Sequence, residues 1–110
     1  MDDAPEIQVP EIPARQLKDM IASPNPPFTL DVREVWEVSR GTIPGAMHIP
    51  MNSIPDRLGE LPRDRTMVVY CAEGIRSYVV VDFLLRQGFH DVKNLEGGMS
   101  AWEYLKYAGR

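Results

Sequence analysis

With a single cysteine among its 110 residues, the chain can form no internal disulfide and cannot by itself assemble a cysteine-rich zinc site. A chain so poor in cysteine fits an intracellular, reducing setting, and a cytoplasmic location is the expectation. No apolar run approaches the roughly 18 residues that a membrane span requires. The opening "MDDAPEIQVP" has acids where a secretory leader has Lys or Arg, and it lacks an apolar core, so no leader is expected. Charge of one sign is also scarce: twelve Lys plus Arg stand against sixteen Asp plus Glu, a net charge of −4, with no block of like charge. A surface for nucleic acid is therefore not expected, nor is a membrane partner. Only two histidines occur. His48 and His90 both fall in or beside turns and read as solvated or partly packed side chains, not as partners of a catalytic cysteine.

What remains is ordinary for a folded globular chain, at 44% hydrophobic and 25% charged. The length suits one domain, placed here at residues 5–107. Ten prolines divide the chain into short segments. "EIQV" (6–9) reads as a short strand and "PARQLKDMIA" (13–22) as a helix, with Leu17, Met20 and Ile21 at helical spacing. "SPNPP" (23–27) is a turn. "FTLDV" (28–32) is a strand, "REVWEVSR" (33–40) a short helical turn closed by Gly41. "TIPGAMHIP" (42–50) is a turn followed by a strand around Ala46 to Ile49. A short helix capped by Asn52 or Ser53 follows. "TMVVY" (66–70) is the strongest strand, a β-branched run expected to be buried on both faces. "SYVVVDFLLRQG" (77–88) favours a buried helix, with Ser77 as its cap and Gly88 just past its end. "DVKNL" (91–95) is a last strand, and a closing helix lies within 97–109. Strands alternating with helices imply a mostly parallel sheet covered on both faces, an α/β fold.

Ligands of such sheets bind beyond the carboxyl ends of the strands. Cys71 follows the strongest strand directly, and the stretch Ala72, Glu73, Gly74, Ile75, Arg76 leads into the next helix. Gly74 permits positive φ. Backbone N–H groups, the helix dipole and the Arg76 guanidinium are all expected to converge on the sulfur. Surroundings of that kind lower a thiol pKa from about 8.5 to roughly 3.5–7.5, leaving a thiolate nucleophile.

"TLDVRE", "GTIPGAMHIP", "VVYCAEGIRS" and "QGFHDVKNLEGGMSAW" occur in the order and spacing of rhodanese-like domains, and the resemblance spans essentially the whole chain. It implies a central five-stranded parallel sheet flanked by helices on both faces. It also implies sulfurtransferase chemistry. Cys71 takes a sulfane sulfur from thiosulfate or a persulfide, carries it as a persulfide, and passes it to a thiol or other nucleophile, with no cofactor and no metal. The donor would be a small sulfur compound or a protein persulfide. By the same resemblance Ala72, Glu73, Gly74, Ile75 and Arg76 form the substrate-binding loop, and Arg76, counted with Cys71 as catalytic, closes it, to contact substrate or to brace it. Asp31 and Arg33 form a supporting ion pair, Ser77 caps the helix, and Gly97 and Gly98 let the chain pass close to the active loop. Trp102 anchors the last helix in the core. The chain departs from many relatives in carrying Thr42 where they have His, and Ala72 and Glu73 where good users of thiosulfate carry cations.

Two other readings use the same fold. A binding or regulatory module would typically lack the cysteine. A cysteine-dependent phosphatase or arsenate reductase would need a longer loop than the four residues, Ala72 to Ile75, that separate Cys71 from Arg76 here.

Overall fold

The strongest strand of the sequence forms the middle of the fold. In a computed structural model that describes residues 6–108, Met67–Tyr70 has all four side chains buried. Residue 5, the expected domain start, and Gly109, at the end of the last expected helical stretch, lie outside the described residues. The elements run β1 (Glu11–Ile12), α1 (Ala14–Ile21), β2 (Phe28–Asp31), α2 (Val35–Val38), β3 (Met47–His48), two 3₁₀ turns (Met51–Asp56 and Leu58–Glu60), β4 (Met67–Tyr70), α3 (Ile75–Arg86), β5 (Val92–Leu95) and α4 (Gly98–Ala108). Five strands pair in the order β1-β5-β4-β2-β3, every pair parallel. Helices cover both faces.

The two-residue period of β4 divides the core. Met67 and Val69 point with Leu30, Val32, Val80, Val81 and Leu84 into the layer beneath α3. Val68 and Tyr70 point with Leu17, Leu95 and Met99 into the layer beneath α1 and α4. Burying a side chain of this size contributes about 1.5–3 kcal/mol. A parallel strand covered on both faces collects that contribution at every residue, so the run has no charged member and its one hydroxyl, on Tyr70, accepts from Ile43 N at 3.1 Å.

Several boundaries differ from expectation for identifiable reasons. The first strand lies at Glu11–Ile12, not at 6–9. Its pairing with β5 begins at the Pro10 carbonyl, which accepts from Asn94 N at 2.8 Å. The segment expected to be capped by Asn52 or Ser53 is a 3₁₀ turn preceded by Pro50, with no side-chain cap. Pro55 inside it lacks the N–H that an α-helix would use. Helix α3 starts at Ile75, two residues before Ser77, and its N-cap is Gly74 at φ 95°. It is buried along one face only: Tyr78 and Val79 are half exposed and Ile75 is exposed. At its other end Gly88 (φ 91°) closes a Schellman motif, with Gly88 N bonded to Leu85 O and Phe89 N to Leu84 O.

Chain direction then selects one edge of the sheet. From β2 the connection leads to β3 on one side, and from β4 to β5 on the other. The carboxyl ends of β2 and β4 therefore flank the point where the order reverses, where such sheets hold their ligands. The register Asp31↔Tyr70 puts residues 32 and 33 beside Cys71 at that point.

Candidate active site

Cys71 leaves β4 with 1% of its surface exposed. Its sulfur takes the place that a side-chain oxygen fills in an ordinary helix N-cap. A helix starts with N–H groups that have no intrahelical acceptor. Here Gly74 N and Ser77 N donate to Cys71 Sγ at 3.2 and 3.3 Å, and the Ser77 hydroxyl lies 3.2 Å from it. The left-handed conformation of Gly74 turns the chain so that both amides face inward.

The carbonyls of the same loop are held from the opposite side. Met99 N donates to Cys71 O at 2.8 Å and Ser100 N to Ala72 O at 3.1 Å. The free donors at the start of α4 thus hold the loop's acceptors outward. Such close approach requires glycine at two neighbouring positions. A Cβ on Gly98 would lie 2.5 Å from Cys71 O and 2.7 Å from Ala72 C and O, and one on Gly74 would lie 3.2 Å from Gly97 N.

Burial alone pushes the Cys71 thiol up. The Ser77 hydroxyl and the Ser77, Gly74 and Glu73 amides outweigh it, so the thiol sits below its ordinary value. Alkylation of Cys71 followed against pH is accordingly expected to show a midpoint below about 8.5. A midpoint at or above that value would mean that the loop does not activate the thiol.

Arg76 does not join this donor set. Its guanidinium forms a bidentate pair with Glu37 of α2, both contacts at 2.8 Å, and reaches the sulfur only as a charge through space. Expected to converge on Cys71, it instead braces the loop against α2. In return the Arg76 hydrogen bond pulls the Glu37 carboxyl down to about 2, and the pair stays ionised at neutral pH. Ser77 likewise departs from its expected role as a cap, being already in the first turn of α3 with its hydroxyl between Cys71 Sγ and Asn94 Oδ1. Asp31 and Arg33 form a buried ion pair at 2.7 Å. The remaining donors of Arg33 reach Gly41 O and Glu37 O. His48 Nε2 lies 2.6 Å from Arg33 O, and His90 is exposed. Glu73 is exposed and accepts from Ser100 Oγ. Ile75 is exposed, Ala72 half-buried, and Trp102 half-buried against the layer beneath α4.

Two contributors escaped the sequence reading. Glu37 carried a weak signal, standing three residues after Glu34 at the start of a helix, where the two form a capping box. Asn94 carried a stronger one: an amide in a central strand is an uncommon choice that calls for buried partners.

A family model described as "Rhodanese-like domain" matches residues 13–104. A sulfurtransferase of Allochromatium vinosum is 40% identical over 94 residues, covering 86% of this chain and 88% of that protein. The thiosulfate sulfurtransferase GlpE of Shewanella oneidensis is 37% identical over 73 residues, covering 66% and 72%. A crystal structure of a rhodanese-like domain protein from Staphylococcus aureus superposes with a TM-score of 0.81 at 38% identity, covering 86% and 91%. The match runs from the start of α1 into α4 and takes in the β4–α3 loop, so the chain belongs to the rhodanese-like domain family.

Proposed function

We propose that the chain, as one domain, is a sulfurtransferase that carries sulfane sulfur as a persulfide on Cys71. The thiolate attacks the outer sulfur of a donor. A new Sγ–S bond forms, the donor's S–S bond breaks, and its electron pair leaves with the departing group, sulfite from thiosulfate or a thiolate from a persulfide. The acceptor then attacks the terminal sulfur and Cys71 departs as thiolate. Each step is a two-electron displacement at sulfur, so kinetics should be ping-pong. One observation carries this reading: Sγ sits within hydrogen-bond reach of Gly74 N, Ser77 N and Ser77 Oγ, donors suited to a sulfur anion. Intact-mass analysis after incubation with thiosulfate and with a low-molecular-weight persulfide tests it. A gain of one sulfur atom on Cys71 is expected, and no gain with either donor overturns the proposal.

The charges around the loop bear on donor choice. Arg76 is neutralised by Glu37, which leaves Glu73 as the uncompensated loop charge. An approaching dianion such as thiosulfate meets repulsion of about 2 kcal/mol at 4 Å in water, about 1 kcal/mol for each of its two charges, against less for a less charged or protein-bound persulfide. Glu73→Gln is expected to raise thiosulfate kcat/KM by up to about thirtyfold and Glu73→Lys by more. Both gains should shrink at high salt. Steady-state kinetics at two ionic strengths measure this, and no rise for either variant at low salt refutes the repulsion.

A further inference from the structure

Asn94 is fully buried in the middle of β5, and every polar atom of its side chain has a partner. Nδ2 donates to Glu11 Oε2 at 2.8 Å and to Gly74 O at 3.0 Å, and Oδ1 accepts from Ser77 Oγ at 2.5 Å. The two acceptors on the Nδ2 side fix the orientation of the amide. Turned over, it would set its oxygen against a carboxylate and a carbonyl. Asn94 Oδ1 is thus locked toward Ser77, whose Oγ is also 3.2 Å from Cys71 Sγ.

A hydroxyl has one proton to donate. While Cys71 is a thiol, S–H can donate to Ser77 Oγ and the hydroxyl to Asn94 Oδ1, so both bonds form. Once the sulfur is a thiolate, the same proton can serve the sulfur or Asn94 but not both. When Sγ carries a second sulfur, the charge moves to the terminal atom and the hydroxyl is released back to Asn94.

We propose that Asn94 is a positioning residue that competes with the Cys71 sulfur for the Ser77 hydroxyl proton, so that the hydroxyl faces the sulfur only while the sulfur is an anion. The proposal rests on Cys71 being the nucleophile. By withholding part of a hydrogen bond from the thiolate, Asn94 keeps the sulfur more basic than its donors alone would make it, and nucleophilicity toward sulfur rises with basicity.

Charged groups reach this site from several elements. Glu11 of β1 acts through Asn94, Arg76 of α3 is paired with Glu37 of α2, and Glu73 of the loop is bonded to Ser100 of α4. None of these bonds to the Ser77 hydroxyl. Their through-space effects are common to chains with and without that hydroxyl, and a double-mutant cycle removes them.

The test is the pH midpoint of Cys71 alkylation in the full chain, read without any sulfur donor. Ser77→Ala is expected to raise the midpoint. Asn94→Ala is expected to lower it by about one unit, a tenfold change in the thiol–thiolate equilibrium, and to have no effect when Ser77 is already alanine. A rise on Asn94→Ala, or a shift of equal size in both backgrounds, overturns the proposal and leaves Asn94 as a prop for the loop through Gly74 O. Should Asn94→Ala fail to fold, the exposed Glu11→Gln decides. By weakening the polarisation of the amide it should lower the midpoint less, and again only when Ser77 is present. A fall of equal size without Ser77 would be plain loss of charge and would overturn the proposal. Because no sulfur donor enters the measurement, a coupled Ser77–Asn94 pair in a chain that gains no sulfur would refute sulfur transfer alone.

Discussion

Cys71→Ser is expected to remove sulfur transfer while leaving the fold in place. The side chain is small and buried, and serine Oγ can accept from the same Gly74 and Ser77 amides that hold the sulfur. It cannot form the sulfur–sulfur bond, and an alcohol in these surroundings stays protonated. Turnover should fall to background, a loss of at least about three powers of ten. Steady-state assays measure it alongside circular dichroism and thermal unfolding. A folded serine variant with the parent's turnover would remove Cys71 from the mechanism.

Gly98→Ala should produce the largest effect of a single methyl group. Gly98 has φ 56°, a left-handed conformation that costs an L-residue about 1–2 kcal/mol. Its new Cβ would also meet the backbone of Cys71 and Ala72 at 2.5–2.7 Å. No flexible side chain can yield there, so the loop or the start of α4 must shift, at a further cost of about 1–3 kcal/mol. A total of about 2–5 kcal/mol is a large share of a typical 5–15 kcal/mol stability. It should lower Tm by roughly 10–25 °C in a domain of this size. The same shift strains the Met99 N to Cys71 O bond that keeps the loop's amides facing inward, so kcat should fall in whatever fraction remains folded. Gly59 is the matched control, since a Cβ there meets nothing within 4 Å. Gly59→Ala should leave both Tm and kcat nearly unchanged. An equal effect at the two glycines would show that close packing of α4 on the loop is not what Gly98 supplies.

The parts of this protein legible in its sequence are those set by neighbours along the chain. The run Met67–Tyr70 announces a buried parallel strand by composition alone, and it forms the middle of the sheet. The short helical turn after "DVR" and the terminator at Gly88 follow from local periodicity and turn chemistry. The left-handed turn at Gly74 and the position of Cys71 at the end of β4 follow in the same way.

Only the tertiary structure decided where the side chains of the site look. Arg76 faces Glu37, 39 residues earlier, in place of the adjacent sulfur. Ser77 is drawn from its expected capping role to Asn94, 17 residues later, and Asn94 is locked by Glu11, 83 residues away. These choices have a common physical reason. A long or rotatable polar side chain goes to whatever complementary charge or lone pair packing brings within about 3 Å. Packing of α2, β1 and β5 around the β4–α3 loop is a property of sheet order and register, which no local window of the chain contains.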